Sequence, residues 1–381
     1  MEARYIGCMV LHAVGDTVGF KNGDWEFKPG GYEKVPEKIY EFIDLGGITE
    51  ISLKNWRVSD DTILHIQTAA SILHDYNSLN TLGKIFKENF LDAVRQFKKE
   101  GYNIRYPGQA TLDSLKILED GGNWNDIPYN LYQGGSGASM RSLCIGLAFY
   151  GEENRHKLIQ ISIESSRMTN NSAVGYLGGF AAALFTALAI EGKRINDWPF
   201  ILLDLFKNGT VTKYIKSVGR DVDKYEQDHH VFLEKWYRYI DDKFDDERKP
   251  IKRKSNRNLV LRSKYYHETF GFEIKSTSDK NVDIIKTYFI GSGGDDSVII
   301  SYDCLIDAGT NWEKLVYYSM LHMGDTDTTG AIAAGLYGAL YGYENIPKNF
   351  TEYLEYKTEL VDLGKKLYKK YYSKILNRMS I

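Results

Sequence analysis

The chain has 381 residues, long enough for two or three average domains or one large one. Hydrophobic residues make up 43% and charged residues 26%, a balance that excludes intrinsic disorder and supplies material for a sizeable buried core. The 48 Lys and Arg against 51 Asp and Glu leave a net charge of −3 with no segregated basic face, so nucleic acid is not an expected partner.

Cys8, Cys144 and Cys304 are too few and too far apart for a disulfide framework, a C-x-x-C pair or a zinc site, and they fit a reducing compartment. The first residues carry an acid and no basic leader before Gly15-Asp16, so they do not read as a signal peptide. A cytoplasmic location and a monomeric state are the expectations.

Prolines are sparse, and apolar residues recur mostly at helical spacing, which predicts a mainly helical protein. Gly15-Asp16 and the run Asn22 to Phe27 read as a polar loop anchored by Trp25 and Phe27. Helices are predicted over Asp60 to Tyr76 with Ser59 as N-cap, and over Leu82 to Gln96, Arg141 to Tyr150 and Arg155 to Ser165. Two more follow at Asn311 to Met323 and Phe350 to Tyr372, and the best strand signal is Val298 to Tyr302. Met168 to Ile190 carries no charge and is long enough to span a membrane, but its asparagines, glycines and alanines favour a buried core helix. A second small-residue helix follows Thr329, and two such helices can approach closely at the centre of a multi-helix domain. Asp241 to Arg262 packs an acidic block against a basic one and reads as a charged surface excursion whose halves could pair.

Two oxygen-rich clusters stand where loops enter helices: Ser59-Asp60-Asp61-Thr62 and Gly324-Asp325-Thr326-Asp327-Thr328-Thr329. Helix capping accounts for one acid in each. Adjacent carboxylates repel unless protons or a cation intervene, so the doubled pattern points to a hard divalent ion such as Mg²⁺, Mn²⁺ or Ca²⁺ and away from zinc or copper. Asp325-Thr326-Asp327-Thr328-Thr329 also fits the D-x-D-x-T pattern of haloacid-dehalogenase-like phosphatases, but that motif belongs after a buried strand near the start of a Rossmann-like domain. The loop Gly134-Gly135-Ser136-Gly137-Ala138-Ser139, read as opening the Arg141 helix, can turn backbone N–H groups toward a phosphate, or simply make a turn.

Together these motifs resemble the ADP-ribosylglycohydrolase family. The resemblance runs through Gly15 to Phe27, Trp56 to Thr62, Gly134 to Arg141, Ile163 to Thr169, Gly175 to Gly179 and His322 to Gly330, in family order. Trp25-Glu26-Phe27 and Arg167-Met168-Thr169 look like the ADP-ribosylarginine hydrolase branch.

The resemblance implies one all-α domain over residues 1–381 with a binuclear Mg²⁺ centre, Mn²⁺ being the other candidate ion. It implies hydrolysis of ADP-ribosylated arginine side chains to ADP-ribose and unmodified arginine, with ADP-ribosylated proteins as partners. By match of motif, Ser59, Asp60, Asp61, Asp325, Asp327 and Thr328 would be the metal ligands, and Glu26 would act beside Asp60 and Asp61 in catalysis. Gly134, Gly135, Ser136, Gly137, Ala138 and Ser139 would hold the pyrophosphate, and Met168, Thr169, Asn170, Gly175 and Asp296 would lie near the substrate. Two residues depart from the family pattern, because Asn170 and Asp295 stand where histidines are usual. The alternatives are relatives that act on ADP-ribosylserine or O-acetyl-ADP-ribose, and a non-catalytic ADP-ribose-binding module, which the retained aspartates and Glu26 disfavour.

Overall fold

The computed structural model describes residues 1–28, 30–251, 258–271, 273–274, 287–288 and 290–373. Among them the fold is all-α apart from a two-residue antiparallel pairing of Glu273–Ile274 with Thr287–Tyr288. Three Ala- and Gly-rich helices form the centre: α1 (Glu2–Phe20), α7 (Ala173–Ile190) and α12 (Thr326–Tyr341). Around them lie α2 (Val35–Asp44), α3 (Asp60–Leu73), α4 (Leu79–Glu100), α5 (Leu143–Ala148), α6 (Arg155–Ser166), α8 (Val222–Lys243), α9 (Leu259–Phe270), α10 (Ser297–Ala308), α11 (Trp312–Met320) and α13 (Lys357–Leu367).

α1 and α12 run antiparallel in backbone contact. A Cβ on Gly15 would fall 2.0 Å from the Gly330 carbonyl oxygen, one on Gly19 2.0 Å from that of Thr326, and one on Gly338 2.2 Å from that of Gly7. Any side chain at these positions forces the helices apart, because overpacked cores relax by shifting backbone. Gly15→Val is expected to destabilise the protein by more than about 3 kcal/mol, read as a lower urea midpoint with unchanged slope. α7 is apolar enough to span a membrane, yet 94% of it is buried inside the protein, so it is the core helix that its composition favoured. Leu177, Phe180, Leu184, Phe185 and Leu188 are all fully buried, each contributing roughly 2 kcal/mol by leaving water.

Local chemistry explains several helix starts. Ser59, Ser78, Asn311 and Asp325 each accept a backbone N–H from the first turn of the helix they precede. Several boundaries differ from the sequence pattern. α3 ends at Leu73 rather than Tyr76, and α4 extends at both ends to Leu79 and Glu100, where Gly101 with φ 100° stops it. The helix expected from Arg141 begins only at Leu143 and is finished by Ala148. Met323 lies outside α11, since Leu321 to Gly324 form the turn into α12. Phe350 to Tyr372 is interrupted at Tyr353–Tyr356, where Tyr356 takes φ 57°.

The predicted strand Val298 to Tyr302 is instead the first half of α10. That helix is buried on most faces, so its β-branched run carries no periodic signal that separates it from a strand. Gly15 and Asp16 belong to α1 rather than to a loop.

The charged stretch from Asp241 to Arg262 is only partly a surface excursion, and residues 252–257 lie outside the described residues. Lys243 and Arg262 are buried, and both pair with Asp303 and Asp307 of α10 rather than with each other's acidic neighbours. Buried ions need such partners, and this network joins α8 and α9 to α10.

Candidate functional site

The ends of the three helices that carry acids meet at one place. Asp60 and Asp61 open α3, Asp325 and Asp327 open α12, and Asp16 comes from α1 beneath them. Asp16 is fully buried and accepts from the Ser59 N–H at 3.0 Å, the Thr62 N–H at 3.1 Å and the Thr62 hydroxyl. It thereby fixes the first turn of α3 against α1. His322 does the equivalent for α12: its Nδ1 accepts from the Gly324 N–H at 3.0 Å, which leaves Nε2–H to face the Thr329 hydroxyl at 2.8 Å.

Between the two helix ends lies a cavity of about 220 Å³. Its walls include Glu26, Asp60, Asp61, Asp325, Asp327 and Thr328, so every acid proposed for chemistry reaches one space. Gly135, Ser136, Gly137 and Asn170 also line it, with the Ser136 hydroxyl donating to Asp325 Oδ2 at 3.4 Å. Ser59 does not line it: the side chain is fully buried and its Oγ accepts the Asp61 N–H at 3.1 Å as the cap of α3. Met168 and Thr169 are likewise fully buried behind the wall, and Gly175 packs against Gln133 and Asn170. Arg167 is also buried, pairing with Glu164 at 3.3 Å over the Tyr176 ring, so the branch-like Arg167-Met168-Thr169 motif supports the wall without facing the cavity.

The acids are electrostatically frustrated. Burial, and then the neighbouring aspartates, hold Glu26, Asp60, Asp61 and Asp327 well above the usual carboxylate range. Burial pushes Asp325 up to about 6, and burial with Asp327 pushes Asp16 up to about 7. Asp61 Oδ2 and Asp327 Oδ1 are buried without a hydrogen-bond partner. Orphaned anionic oxygens and mutually repelling carboxylates suit a hard divalent cation. Among the described residues no three His, Cys, Asp or Glu side chains are grouped tightly enough to hold one ion alone. Thr328, backbone or water oxygens would have to complete a coordination shell.

The glycine loop does not open a helix directly. Ser136–Ala138 form a 3-10 turn, and the loop is zipped to residues 292–294, with the Ser136 N–H donating to Ser292 O at 2.7 Å and the Gly294 N–H to Gly134 O at 2.8 Å. Asn170 braces it from behind: its Nδ2 donates to Gly135 O at 3.3 Å and Gln133 O at 3.4 Å, while Oδ1 accepts from the Thr169 hydroxyl at 2.8 Å. The Asn170 amide is therefore spent on the loop, on Gln133 just before it and on Thr169. Asp296 is buried outside the cavity wall, accepting from the N–H groups of Gly291 and Gly293 at 2.9 Å each. Burial, opposed by Lys235, pushes it up to about 7. Asp295, in the second departing position, forms an ion pair at 2.8 Å with Lys235 of α8.

Phe27, read in the sequence as an anchor of the glutamate loop, lines the cavity too, and Tyr106, Gly108 to Thr111, Met140 and Ser292 line it without having been anticipated from sequence. Tyr106-Pro107-Gly108 does carry a signal, since X-Pro-Gly marks a turn, and Tyr106 adopts φ 54° with its ring edge-on to Phe20 at 5.5 Å. Asp16 reads in the sequence only as part of a polar loop, and its place in α1 beneath the two acidic helix ends comes from the fold.

Comparison with known proteins agrees with this arrangement. The family model described as ADP-ribosylglycohydrolase matches residues 1–376. The chain is 36% identical over 368 residues to a protein of Acanthamoeba polyphaga mimivirus that carries an ADP-ribosyl glycohydrolase name, covering 93% of this chain and 68% of that protein. It is 35% identical over 386 residues to ADP-ribosylhydrolase ARH1 of Dictyostelium discoideum, covering 94% and 92%. A solved structure titled ADP-ribosylglycohydrolase-related protein complex shares the fold, with TM-score 0.52 at 16% identity over 97% of this chain and 98% of that one. With the acidic helix ends, the glycine loop and the glutamate turn assembled round one cavity, and with nearly the whole sequence matched, the chain belongs to the ADP-ribosylglycohydrolase family.

Proposed function

We propose that the protein is a metal-dependent hydrolase that releases ADP-ribose from ADP-ribosylated arginine side chains. The observation that carries this reading is the convergence of Glu26 and four aspartates with the glycine loop on one cavity, with Asp61 and Asp327 oxygens left unpartnered. The arginine preference is supported by Glu26 and Phe27, a carboxylate and an aromatic ring that together suit a planar cation. The similarity to the Dictyostelium relative, named an ADP-ribosylhydrolase, supports the hydrolysis of ADP-ribosyl conjugates.

Asp60, Asp61, Asp325, Asp327 and Thr328 would hold divalent cations, with Mg²⁺ the first candidate. When bound, such ions supply Lewis acidity and neutralise the crowded acids. The residues of the chain then divide the remaining work. The N–H groups of Gly135 and Gly137, which are not used in zipping the loop to residues 292–294, would bind the pyrophosphate, and Asn170 keeps that loop in shape. Water adds to the anomeric carbon of the ribose as the carbon–nitrogen bond breaks, and the guanidino nitrogen keeps the bonding pair. Glu26 takes the proton that the water gives up, and the departing neutral guanidine regains one, so charge balances from substrate guanidinium to arginine guanidinium. With the neighbouring aspartates that help to raise it offset by bound cations, Glu26 would be an ionised carboxylate that can accept that proton.

The direct check is release of free ADP-ribose from ADP-ribosyl-arginine and ADP-ribosyl-serine peptides, with Mg²⁺ present or chelated. Cleavage of the arginine conjugate that stops on chelation is expected. Serine-only release would overturn the arginine assignment, and tight binding without release would replace the enzyme by a binding module.

A further inference from the structure

Lys38 lies on α2, is fully buried, and among the described residues forms no ion pair with a carboxylate. Its ammonium is spent on oxygens from two separate segments. Nζ donates to Trp25 O at 2.7 Å, to His322 O at 2.7 Å and to the Thr326 hydroxyl at 3.3 Å. Trp25 O precedes Glu26, while His322 and Thr326 flank Asp325. Burying a cation to hold carbonyls is costly, so it persists only where the surroundings demand it.

The turn that Lys38 holds is one that the chain does not favour. Lys21, Asn22, Gly23 and Phe27 all take positive φ, at 43°, 57°, 92° and 46°. Three non-glycine residues in the left-handed region within seven positions need outside restraint. Its other anchors are the Phe27 N–H donating to Gly324 O at 3.1 Å and, one turn further along α2, Glu41 pairing with Lys21 and with Lys28 at 3.0 Å. α2 thus grips both ends of the turn, and Lys38 is the α2 residue that also reaches the entry to α12, beside the direct Phe27–Gly324 bond and the Thr326 hydroxyl donating to Trp25 O at 3.3 Å.

We propose that Lys38 is a positioning residue that locks the Glu26 turn to the entry of α12, holding the Glu26 carboxylate in register with Asp325 and Asp327. The catalytic consequence of this lock rests on the hydrolase reading above; the mechanical lock does not. Lys38→Met keeps the stem and removes the donors. It is expected to lower kcat about 10- to 100-fold with KM changed less than about threefold, as for a catalytic group displaced by an ångström.

A double-mutant cycle with Glu26→Gln separates positioning from general destabilisation. If Lys38 acts through Glu26, the double variant loses no more kcat than Glu26→Gln alone; multiplicative losses overturn the proposal. Hydrogen exchange reads the lock without any activity. Peptides covering residues 21–28 should exchange faster in Lys38→Met while α7 stays protected, and unchanged exchange in that turn overturns the proposal. Should Lys38→Met not fold, Lys38→Gln, which keeps one donor pair, carries the same measurements. An inactive wild type would instead sink the hydrolase reading, and hydrogen exchange would still decide the role of Lys38.

Discussion

Asp327→Asn is expected to lower turnover about a thousandfold while raising the thermal midpoint of the chelated protein. Outer partners of metal ligands typically contribute 10- to 100-fold, so loss of a direct oxygen donor should exceed that. The gain in stability follows from the same site. Burial, and then Asp325, hold the Asp327 carboxyl far above its ordinary range, so an uncharged amide of equal size relieves a conflict. The opposite signs matter, because a misfolded variant would lose both activity and stability. Asp60→Asn should behave alike, since burial and Asp327 raise it too. Turnover that survives either substitution would remove the aspartates from the mechanism, and melting curves in chelator test the second half.

Mg²⁺ is expected to stabilise the protein more as pH rises from about 4 to about 7, measured as the difference between midpoints with Mg²⁺ and with chelator. In the folded chelated protein Asp325 titrates near 6 and Asp16 near 7, both above the ordinary carboxylate value. Between those values the unfolded chain has released protons that the folded chain keeps, so folding loses stability as pH increases. A bound cation removes that loss by favouring the ionised acids. His12 and His267, which burial lowers to about 4, act in the opposite direction, since they stay neutral in the fold while the unfolded chain charges below about 6.5. That contribution is common to both conditions and cancels in the difference. At saturation a hundredfold above its dissociation constant, a single ion adds about 2.7 kcal/mol. A difference that is flat or shrinks with pH would exclude cation binding at these carboxylates.

Much of the site was legible because its signals are local. Ser59-Asp60-Asp61 and Asp325-Thr326-Asp327 announce helix starts by capping chemistry, and their doubled acids announce something more. The small residues of α7 and α12 gave away a close-packed centre through composition, but the helix in backbone contact with α12 is α1, whose Gly15 reads as part of a loop. Illegible features were those fixed across the chain. Lys38 falls in no motif and no predicted element, and only the fold turns it inward between Trp25 and His322. Ser59 matches a ligand position by motif, and its hydroxyl also accepts the Asp61 N–H as the cap of the helix it precedes. Val298 to Tyr302 misled because burial on every side erases the periodicity by which helix and strand are told apart.

The contact between α1 and α12 also makes remote positions matter. From Gly7 to Gly19 is twelve residues, a lever arm of about 18 Å at 1.5 Å per residue. Gly7 abuts Gly338 at one end of that lever, and Gly19 abuts Thr326 and Asp327 at the other. A methyl wedge at Gly7 that tilts the pair by about 5° would swing the far end by about 1.6 Å, more than the ångström at which catalytic geometry fails. Substitutions at the closed end of the pair, with no atom near the cavity, are therefore expected among the inactivating ones.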